Sequence, residues 1–478
     1  MIQRQDFHVF ARGDQHYLFL TQPVALFKVD AETGAALQQL EVGESVALGA
    51  AGERAREAAA FMDDYCRKAP PARKLRAPGD ISDKVWGLYL FVSQECNLKC
   101  AYCYGHEGEY GQRGRMNETT LRQTFDTFLG NREGRHNVTF FGGEPLMNLP
   151  IMHKAAALAD DFRDEGRGDI SFGIVTNGTL YDEEIAGFFR DHIEGATFSL
   201  DGPADLNDRQ RLSKKSGSVY GQATENIRKL TADKRFGWAF RAIVTREGHD
   251  RIEEIYADLE RHGPGGIGIV NVDVPEDSPL YLDDGQYRRF LEQVVAINRK
   301  GLQSFVDGGQ AVAFEYPFYI LFHFITRSHA LYHCNAGCNL LAVTAEGDIY
   351  PCHRFVGQED FKMGNVADPE VRQSPRYQEL RQAFVDATVD QREGCQGCWA
   401  RYLCGGSCAK YSYARHGDIH PPVERHCLYI KTVIEEILPD IADLVKTPEM
   451  RRDLMNNLKS AIAGHHGSLN LDAAHAAA

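Results

Sequence analysis

The feature of this sequence that most constrains its fold is a set of twelve cysteines, nearly all of them gathered in two regions. The cysteines of these two regions are Cys96, Cys100, Cys103, Cys334, Cys338, Cys352, Cys395, Cys398, Cys404, Cys408 and Cys427. In a long chain whose first residues lack the apolar core of an export signal, such cysteines favour metal binding or redox chemistry over disulfides. The same absence predicts a cytoplasmic protein.

The overall composition is that of an ordinary globular protein, and it excludes several functions. Hydrophobic residues make up 43% of the chain and charged residues 25%. The formal net charge of −14 would repel nucleic acid, and no long run of Lys and Arg offsets it. The apolar stretches Val85–Val92 and Ala311–Ile325 are too short or too interrupted to cross a membrane. We therefore expect a protein that binds neither nucleic acid nor membrane.

Residues 1–77 are predicted to form a small winged-helix-like module. Gly13-Asp14 is typical of a turn between its first two strands. The predicted elements are strands Phe7–Phe10, Tyr17–Leu20 and Ala25–Val29, then helices Ala31–Leu40 and Glu53–Lys68. Pro70-Pro71-Ala72 and Pro78-Gly79 interrupt the pattern and indicate a linker.

Residues 80–300 alternate between apolar strands and helices. The predicted strands are Leu88–Val92, Val138–Phe141, Ser171–Val175, Ala196–Leu200, Ala239–Thr245 and Ile267–Val272. The predicted helices lie between them, at Glu118–Leu129, Ile151–Arg163, Glu183–His192, Tyr220–Lys234 and Asp250–Arg261. Near-continuous apolar strands separated by helices predict a parallel sheet with both faces covered. Six such units predict an α/β fold with a partial (β/α)6 barrel, whose ligands bind at the carboxyl ends of the strands.

Beyond residue 300 this alternation stops. Cysteines, glycines and short turns dominate residues 301–445, which we expect to form a cysteine-rich C-terminal domain with a helix over Leu428–Lys446. Residues 446–478 are predicted to be a C-terminal tail. Within it, His465–Ala478 consists of small and polar residues and is expected to be mobile.

The first cysteine group directly follows the first predicted barrel strand. The spacing of Cys96, Cys100 and Cys103 allows three thiolates to hold one cubane cluster. Four cysteines are the usual ligands of a [4Fe–4S] cluster, so three leave one iron open to a substrate or cofactor. The alternatives are a zinc site or three unrelated core cysteines. A structural zinc site normally takes four ligands, and no histidine lies at a suitable spacing.

Cys-x3-Cys-x2-Cys, with Tyr102 before its third cysteine, resembles the signature of radical S-adenosylmethionine (SAM) enzymes. Gly142-Gly143-Glu144-Pro145 resembles the family's segment that holds the SAM amino group. Glycines there allow close backbone approach, and a carboxylate can accept hydrogen bonds from an ammonium group. Taken alone, this segment is equally typical of a β-turn.

The resemblance implies further SAM contacts at later strand ends. Ser199 matches a serine that contacts SAM, and Arg211 matches an arginine that often pairs with the SAM carboxylate. The alternative for Arg211 is a solvated surface side chain, the commoner fate of arginine. Val244 either lines the adenine pocket or belongs to the core. The SAM-binding candidates are therefore Tyr102, Gly142, Gly143, Glu144, Ser199 and Arg211.

The last third resembles the SPASM extension, which binds two auxiliary [4Fe–4S] clusters. The resemblance implies that one cluster takes Cys334, Cys338, Cys352 and Cys408. It implies that the other takes Cys395, Cys398, Cys404 and Cys427. A zinc ribbon is the alternative. Together with the first group this implies three [4Fe–4S] clusters and leaves Cys66 as a structural cysteine.

The N-terminal module resembles the recognition element of enzymes that modify ribosomally made peptides, which pairs an edge strand with the substrate's leader. A domain that only packs on the barrel is the alternative. Tyr350–Gly357 and Cys398–Gly406 most resemble the thioether-forming peptide maturases. The chain length, the N-terminal module and Phe7–Phe10 most resemble the family that matures quinohaemoprotein amine dehydrogenase. That family links cysteine sulfur to a methylene carbon of Asp or Glu in the dehydrogenase's small subunit. Two residues of these segments, His353 and Trp399, are expected to be structural.

This resemblance implies that reductive SAM cleavage starts hydrogen abstraction, that sulfur and carbon then bond, and that an auxiliary cluster removes an electron. An electron donor such as flavodoxin or ferredoxin is then required. Three alternatives stay open. They are a maturase of short cysteine-rich peptides that joins sulfur to an α-carbon, a sulfatase-maturing enzyme that makes formylglycine, and a non-catalytic iron–sulfur electron carrier. The Gly142 and Ser199 segments argue against the carrier, which needs no SAM pocket.

Overall fold

The computed structural model describes residues 6–42, 50–130, 134–215, 217–306 and 315–464. Its N-terminal part is an antiparallel sheet with β2 in the middle, followed by two helices. These elements are β1 (Phe7–Arg12), β2 (Gln15–Leu20), β3 (Ala25–Val29), α1 (Ala31–Val42) and α2 (Ala50–Lys68). Gly13 takes a φ of 58° in the β1–β2 turn, which glycine adopts readily. The predicted strands and helices are present, whereas the predicted mobility of His465–Ala478 lies outside the described residues.

The central part of the chain builds a parallel sheet flanked by helices. After β4 (Arg73–Leu75), its elements in chain order are β5 (Gly87–Ser93), β6 (Leu98–Cys100), α3 (Glu118–Phe128), β7 (Arg135–Gly142), α4 (Leu149–Asp164), β8 (Asp169–Thr176), α5 (Glu183–His192), β9 (Ile193–Ser199), α6 (Ala204–Gln210), β10 (Arg211–Ser213), α7 (Val219–Leu230), β11 (Gly237–Val244), α8 (Ile252–Glu260) and β12 (Gly266–Asn271). The strands β5, β7, β8, β9, β11 and β12 pair parallel in that order. They correspond to the six predicted strands, so the predicted partial barrel is confirmed.

Local capping and apolar packing explain where these helices and strands form. Asn117, Asp182 and Ser218 stand at the starts of α3, α5 and α7, where each side chain accepts a hydrogen bond from a backbone N–H of the first turn. On neighbouring strands, Phe140 and Phe172 stack with ring centroids 5.0 Å apart. The strands are thereby fixed with their carboxyl ends along one rim, where the site lies.

The C-terminal part extends the same sheet instead of forming a separate one. Its elements are α9 (Asp284–Val306), α10 (Glu315–Thr326), β13 (Ser328–Ala330), β14 (Leu340–Val343), β15 (Asp348–Tyr350), β16 (Gly364–Asn365), α11 (Pro375–Asp386), α12 (Arg401–Cys404), α13 (Ala409–His416), α14 (Glu424–Leu444) and α15 (Pro448–Gly464). β14 pairs parallel with β5, and β15 and β16 follow antiparallel, giving nine strands. None of the helices in the described residues is long and apolar enough to cross a membrane.

Strand pairing and side-chain contacts join the N-terminal module to the C-terminal part. The predicted linker contains β4, which pairs parallel with β13, so that Arg73 lies opposite Ser328. The ring of His8 stacks on Trp399 with centroids 3.9 Å apart, as expected for a structural Trp399. Its Nδ1 contacts Glu41 at 2.7 Å on α1, and its Nε2 contacts Glu435 at 3.0 Å on α14.

Candidate functional site

Cys96, Cys100 and Cys103, called here the barrel set, lie just beyond the carboxyl end of β5. The short strand β6 pairs with β10, which places Cys100 opposite Arg211. Nδ2 of Asn177, from the loop after β8, lies 3.9 Å from the Sγ of Cys96. Burial raises the pKa of Cys96 to about 12 and that of Cys100 to about 11. Glu144 near Cys96, Asp201 near Cys100 and the neighbouring thiols of the set contribute to these raised pKa values, so the thiols share one pocket at the rim.

Gly142 and Gly143 allow the backbone at the end of β7 to lie close against the loop that carries the barrel set. A Cβ added to Gly142 would lie 2.0 Å from the carbonyl oxygen of Ser93. One added to Gly143 would lie 2.3 Å from the carbonyl oxygen of Glu95. Only glycine allows these backbones to touch. The glycine-rich motif therefore has a steric reason in this fold beyond a simple turn.

Glu144 turns into the protein. Its carboxylate accepts hydrogen bonds from Oγ1 of Thr176 at 2.8 Å and from the backbone N–H groups of Asn177 at 2.9 Å and Leu146 at 3.1 Å. Burial raises the pKa of Glu144 to about 7, although these hydrogen bonds oppose the rise. The side chain joins the loops after β7 and β8, whereas the sequence motif predicted that it reaches the SAM ammonium.

Two of the remaining SAM candidates meet at Asp201. Arg211 donates through Nε and Nη2 to the two carboxylate oxygens of Asp201, both at 3.0 Å, and Oη of Tyr102 donates to the same carboxylate at 2.6 Å. Arg211 is only 5% exposed, so the surface alternative for this residue is wrong. Ser199 lines the cavity described below, whereas Val244 is 1% exposed and belongs to the core.

The eight cysteines of the C-terminal part fall into two sets of four. Their pKa values reveal which thiols are neighbours: burial raises the pKa of Cys352 to about 12, with Cys408 and Cys334 adding to it, and Cys338 is likewise raised by burial and by Cys334. For Cys404, burial and then Cys398, Cys427 and Cys395 raise the pKa. We call Cys334, Cys338, Cys352 and Cys408 the first auxiliary set. We call Cys395, Cys398, Cys404 and Cys427 the second auxiliary set.

The donor chemistry of the three sets fits iron–sulfur clusters. The described residues contain no group of three or more His, Cys, Asp or Glu side chains that could hold a single metal ion. A zinc ion holds its thiolates about 2.3 Å from one centre, whereas the thiolates of a cubane bind separate irons. The ligand atoms of all three sets are thiols. Cluster assembly would require these thiols, protonated when buried, to lose their protons.

A cavity of about 1140 Å³ lies between the carboxyl ends of the barrel strands and the C-terminal part. Its walls include the barrel set, three thiols of the first auxiliary set, and five of the six SAM candidates. These residues are Cys96, Cys100, Cys103, Cys334, Cys352, Cys408, Tyr102, Gly142, Gly143, Ser199 and Arg211. The barrel set and the first auxiliary set therefore face one chamber.

Charged residues absent from the sequence-based predictions line the same chamber. Asp273, directly beyond β12, forms an ion pair with Arg354. Nη1 of Arg354 lies 4.0 Å from the Sγ of Cys408. Lys410, on α13, also lines the cavity. The position of Asp273 after the sixth strand was an available signal, because ligands of such sheets bind there.

Comparisons with known proteins agree with these features. The model of the radical SAM superfamily matches residues 90–272, and the iron–sulfur cluster-binding domain SPASM matches residues 334–399. The cysteine-type anaerobic sulfatase-maturating enzyme of Clostridium novyi (strain NT) is 23% identical over 330 residues, which cover 67% of this chain and 86% of the relative. The radical SAM cyclopropyl synthase TigE of Paramaledivibacter caminithermalis is 21% identical, over 75% of each chain.

Solved structures share the fold. The structure of native anSMEcpe with bound AdoMet and Cp18Cys peptide has a TM-score of 0.64 at 20% identity and covers 75% of this chain and 98% of that one. The structure of Streptococcus suis SuiB has a TM-score of 0.50 at 14% identity, over 87% of this chain and 97% of that one. The chain is therefore a radical SAM enzyme in which an α/β partial barrel is joined to a C-terminal SPASM domain, and which uses SAM and iron–sulfur clusters.

Proposed function

We propose that the enzyme forms thioether cross-links between cysteine sulfur and the methylene carbon of Asp or Glu in the small subunit of an amine dehydrogenase. The observation that carries this proposal is the shared chamber, whose walls include the barrel set, three thiols of the first auxiliary set and Asp273. An auxiliary cluster with four cysteine ligands has no open iron, which suits electron transfer better than substrate binding. Thioether formation needs such an electron acceptor.

Three [4Fe–4S] clusters occupy the three thiol sets in this proposal. The barrel set would hold a cluster with one iron free to bind SAM, and Gly142, Gly143 and Ser199 would line the SAM site. When bound, SAM and the reduced cluster supply the hydrogen-atom abstraction. Glu144 and Asp201 hold the loops and Arg211 in place around this site. A one-electron donor such as flavodoxin or ferredoxin is the partner that supplies the electron.

Asp273 is the candidate base of the reaction. One S–H bond and one C–H bond of the substrate become one S–C bond. One hydrogen leaves as an atom to the SAM-derived adenosyl group, and the thiol hydrogen leaves as a proton to the Asp273 carboxylate. One electron would pass to the cluster that the first auxiliary set would hold. Asp273 lines the cavity, and its ion pair with Arg354 orients its carboxylate.

The N-terminal module offers a binding surface for the leader of a ribosomally made substrate. β3 is an outer strand, and no other described strand pairs with its free edge. Beside it, Phe27 packs edge-on against Phe61 at 5.2 Å and Tyr65 at 4.9 Å, and Phe61 remains 47% exposed. The other outer strand is occupied, since the N–H of Val9 donates to Glu41 at 3.1 Å. A substrate strand would therefore add beside β3.

Formylglycine formation on a sulfatase is the second candidate function. Its support is the similarity to sulfatase-maturating enzymes, including the serine-type enzyme of Bacteroides thetaiotaomicron, which is 24% identical over 80% of this chain and 97% of the relative. The two reactions differ in the fate of sulfur. A thioether keeps the cysteine sulfur in the substrate, whereas formylglycine formation from cysteine removes it.

Mass spectrometry of the reacted substrate distinguishes the two candidates. The reconstituted enzyme, SAM and reductant are incubated separately with the dehydrogenase small subunit and with a sulfatase peptide. We expect the small subunit to lose two hydrogens, about 2 Da, for each thioether formed. An unchanged small subunit together with a sulfatase peptide whose cysteine or serine becomes formylglycine would replace the first candidate by the second.

Leader binding is tested on the exposed Phe61. Phe61→Lys places a charge beside the free edge of β3 and should weaken binding of the small subunit while leaving uncoupled SAM cleavage unchanged. Val42→Lys is the matched control, because Val42 is 68% exposed but lies at the end of α1. Equal substrate affinity for the two variants would contradict leader binding beside β3. It would not contradict the proposed thioether chemistry.

A further inference from the structure

Arg354 bridges the candidate base and the first auxiliary set. On one side, Nη2 donates to Oδ2 of Asp273. On the other, Nη1 lies 4.0 Å from the Sγ of Cys408, and Arg354 itself follows Cys352 by two residues. One guanidinium therefore contacts both the group that would take the proton and the thiol set that would take the electron.

The surroundings of Arg354 hold its guanidinium in one orientation. It stacks over the ring of Tyr411 with 4.2 Å to the centroid, and it lies 5.9 Å from the centroid of Tyr104. The preceding residue, His353, packs against Tyr89 of β5 at 4.3 Å and so anchors this segment to the barrel. The side chain is 19% exposed, and arginine keeps its charge at any working pH. The positive charge is thus fixed between the two sites.

We propose that Arg354 is a positioning residue that couples the two transfers: it orients Asp273 toward the substrate thiol and raises the reduction potential of the cluster held by the first auxiliary set. This inference rests on the cluster and base assignments of the proposed function. A reduced cluster carries one more negative charge than an oxidised one. A fixed cation beside its ligands therefore stabilises the reduced form, since charge and hydrogen bonds to the sulfurs set such potentials.

The ion pair between Asp273 and Arg354 links the proton transfer to the electron transfer. While Asp273 is ionised, its negative charge offsets much of the charge of Arg354. When the substrate thiol gives its proton to Asp273, that offset is lost and the full positive charge acts on the cluster. The cluster becomes the stronger electron acceptor once the sulfur–carbon bond can form. The proton ends on Asp273 and the electron on the cluster, so the step balances.

The test measures reduction potentials and requires no product formation. In a full-length chain with Cys96, Cys100 and Cys103 changed to Ala, only auxiliary clusters contribute to a redox titration followed by electron paramagnetic resonance. Arg354→Gln should shift one of the two potentials to a more negative value. Arg354→Lys, which keeps the charge, should shift it less. Arg415→Gln is the matched control, because Arg415 lines the cavity but pairs with Glu276 at 2.9 Å.

Asp273→Asn provides an independent test with the opposite sign. Removing its charge leaves Arg354 uncompensated, so the same potential should move to a more positive value. If Arg354→Gln loses iron, the potentials of Asp273→Asn still test the proposal. Unchanged potentials in Asp273→Asn, or shifts of the same sign in Asp273→Asn and Arg354→Gln, would make Arg354 a purely structural residue and overturn the proposal. Neither outcome would alter the mass spectrometry result that tests the proposed function.

Discussion

The barrel rim and the SPASM region hold their thiols in different ways. At the rim, the barrel set lies on loops that are fixed by strands of seven or eight residues, by glycine contacts and by the buried carboxylates of Glu144 and Asp201. In the SPASM region, the thiols lie beside short elements such as β15, with three residues, and α12, with four. We therefore expect protein contacts to form the first site, and the clusters to contribute much of the stability of the second region.

The largest effect expected from this difference is on activity. Changing Cys96, Cys100 and Cys103 together to Ala should reduce formation of 5′-deoxyadenosine to background, because no cluster remains to bind and cleave SAM. The barrel should stay folded, since its strands do not depend on that cluster. Chromatographic measurement of 5′-deoxyadenosine tests the loss of SAM cleavage, and circular dichroism tests whether the barrel stays folded. Continued SAM cleavage by this variant would show that the barrel set is not the catalytic one.

Iron removal should separate the two regions by stability. After anaerobic chelation, we expect amide hydrogen exchange to rise strongly across residues 334–427 and little in the barrel strands β7, β8 and β9. The reason is that cluster binding contributes folding free energy where secondary structure is short. Hydrogen exchange with mass spectrometry measures both regions in one sample. An equal rise in hydrogen exchange in both regions would contradict the expected difference in their dependence on clusters.

Within the barrel, the buried pair of Arg211 and Asp201 should matter more than any surface pair. Arg211→Met leaves a buried carboxylate without its cation, at a cost of about 3 kcal/mol in the free energy of unfolding. Arg251→Met is the control, because Arg251 pairs with Asp205 and Glu254 on the surface and should change stability by about 1 kcal/mol or less. Anaerobic urea denaturation compares them. Equal losses would mean that the rim is not prearranged by this pair.

The smallest expected effect is at the contact between the N-terminal module and the SPASM region. Burial lowers the pKa of His8, but Glu41 and Glu435 raise it by more, so the net pKa is raised. Its stabilising contribution is therefore fully present below the unfolded pKa of about 6.5 and is lost as the pH rises through the folded value. His8→Phe keeps the ring on Trp399 and should cost about 1 kcal/mol at pH 6 and less at pH 9. A pH-independent cost would contradict this.

The sequence predicted the barrel well because its strands are long, apolar and separated by capped helices. It missed β14, whose four residues are too few to show a pattern, and with it the continuation of the sheet into the SPASM region. It also missed α15 in the part predicted to be a tail. These elements are defined by long-range pairing and packing, which local sequence does not carry.

In the candidate site, too, local sequence predicted some features and missed those that depend on long-range contacts. The cysteine spacing indicated the barrel set, because ligand spacing is a local property, and the family resemblance implied the two auxiliary groupings, which stay a prediction. The inward turn of Glu144 and the engagement of Arg211 by Asp201 were not predictable, since both depend on residues from other strands. Arg354 was missed for the same reason, as its partner Asp273 lies 81 residues away in the chain.

The central proposal is that the chain holds three clusters, one at the barrel rim and two in the SPASM region. Iron and sulfide analysis with Mössbauer spectroscopy of the anaerobically reconstituted protein tests it most directly. We predict about 12 iron atoms per chain in the wild type and about 8 when Cys96, Cys100 and Cys103 are changed to Ala. About 4 iron atoms in the wild type, or none in the triple variant, would contradict the claim.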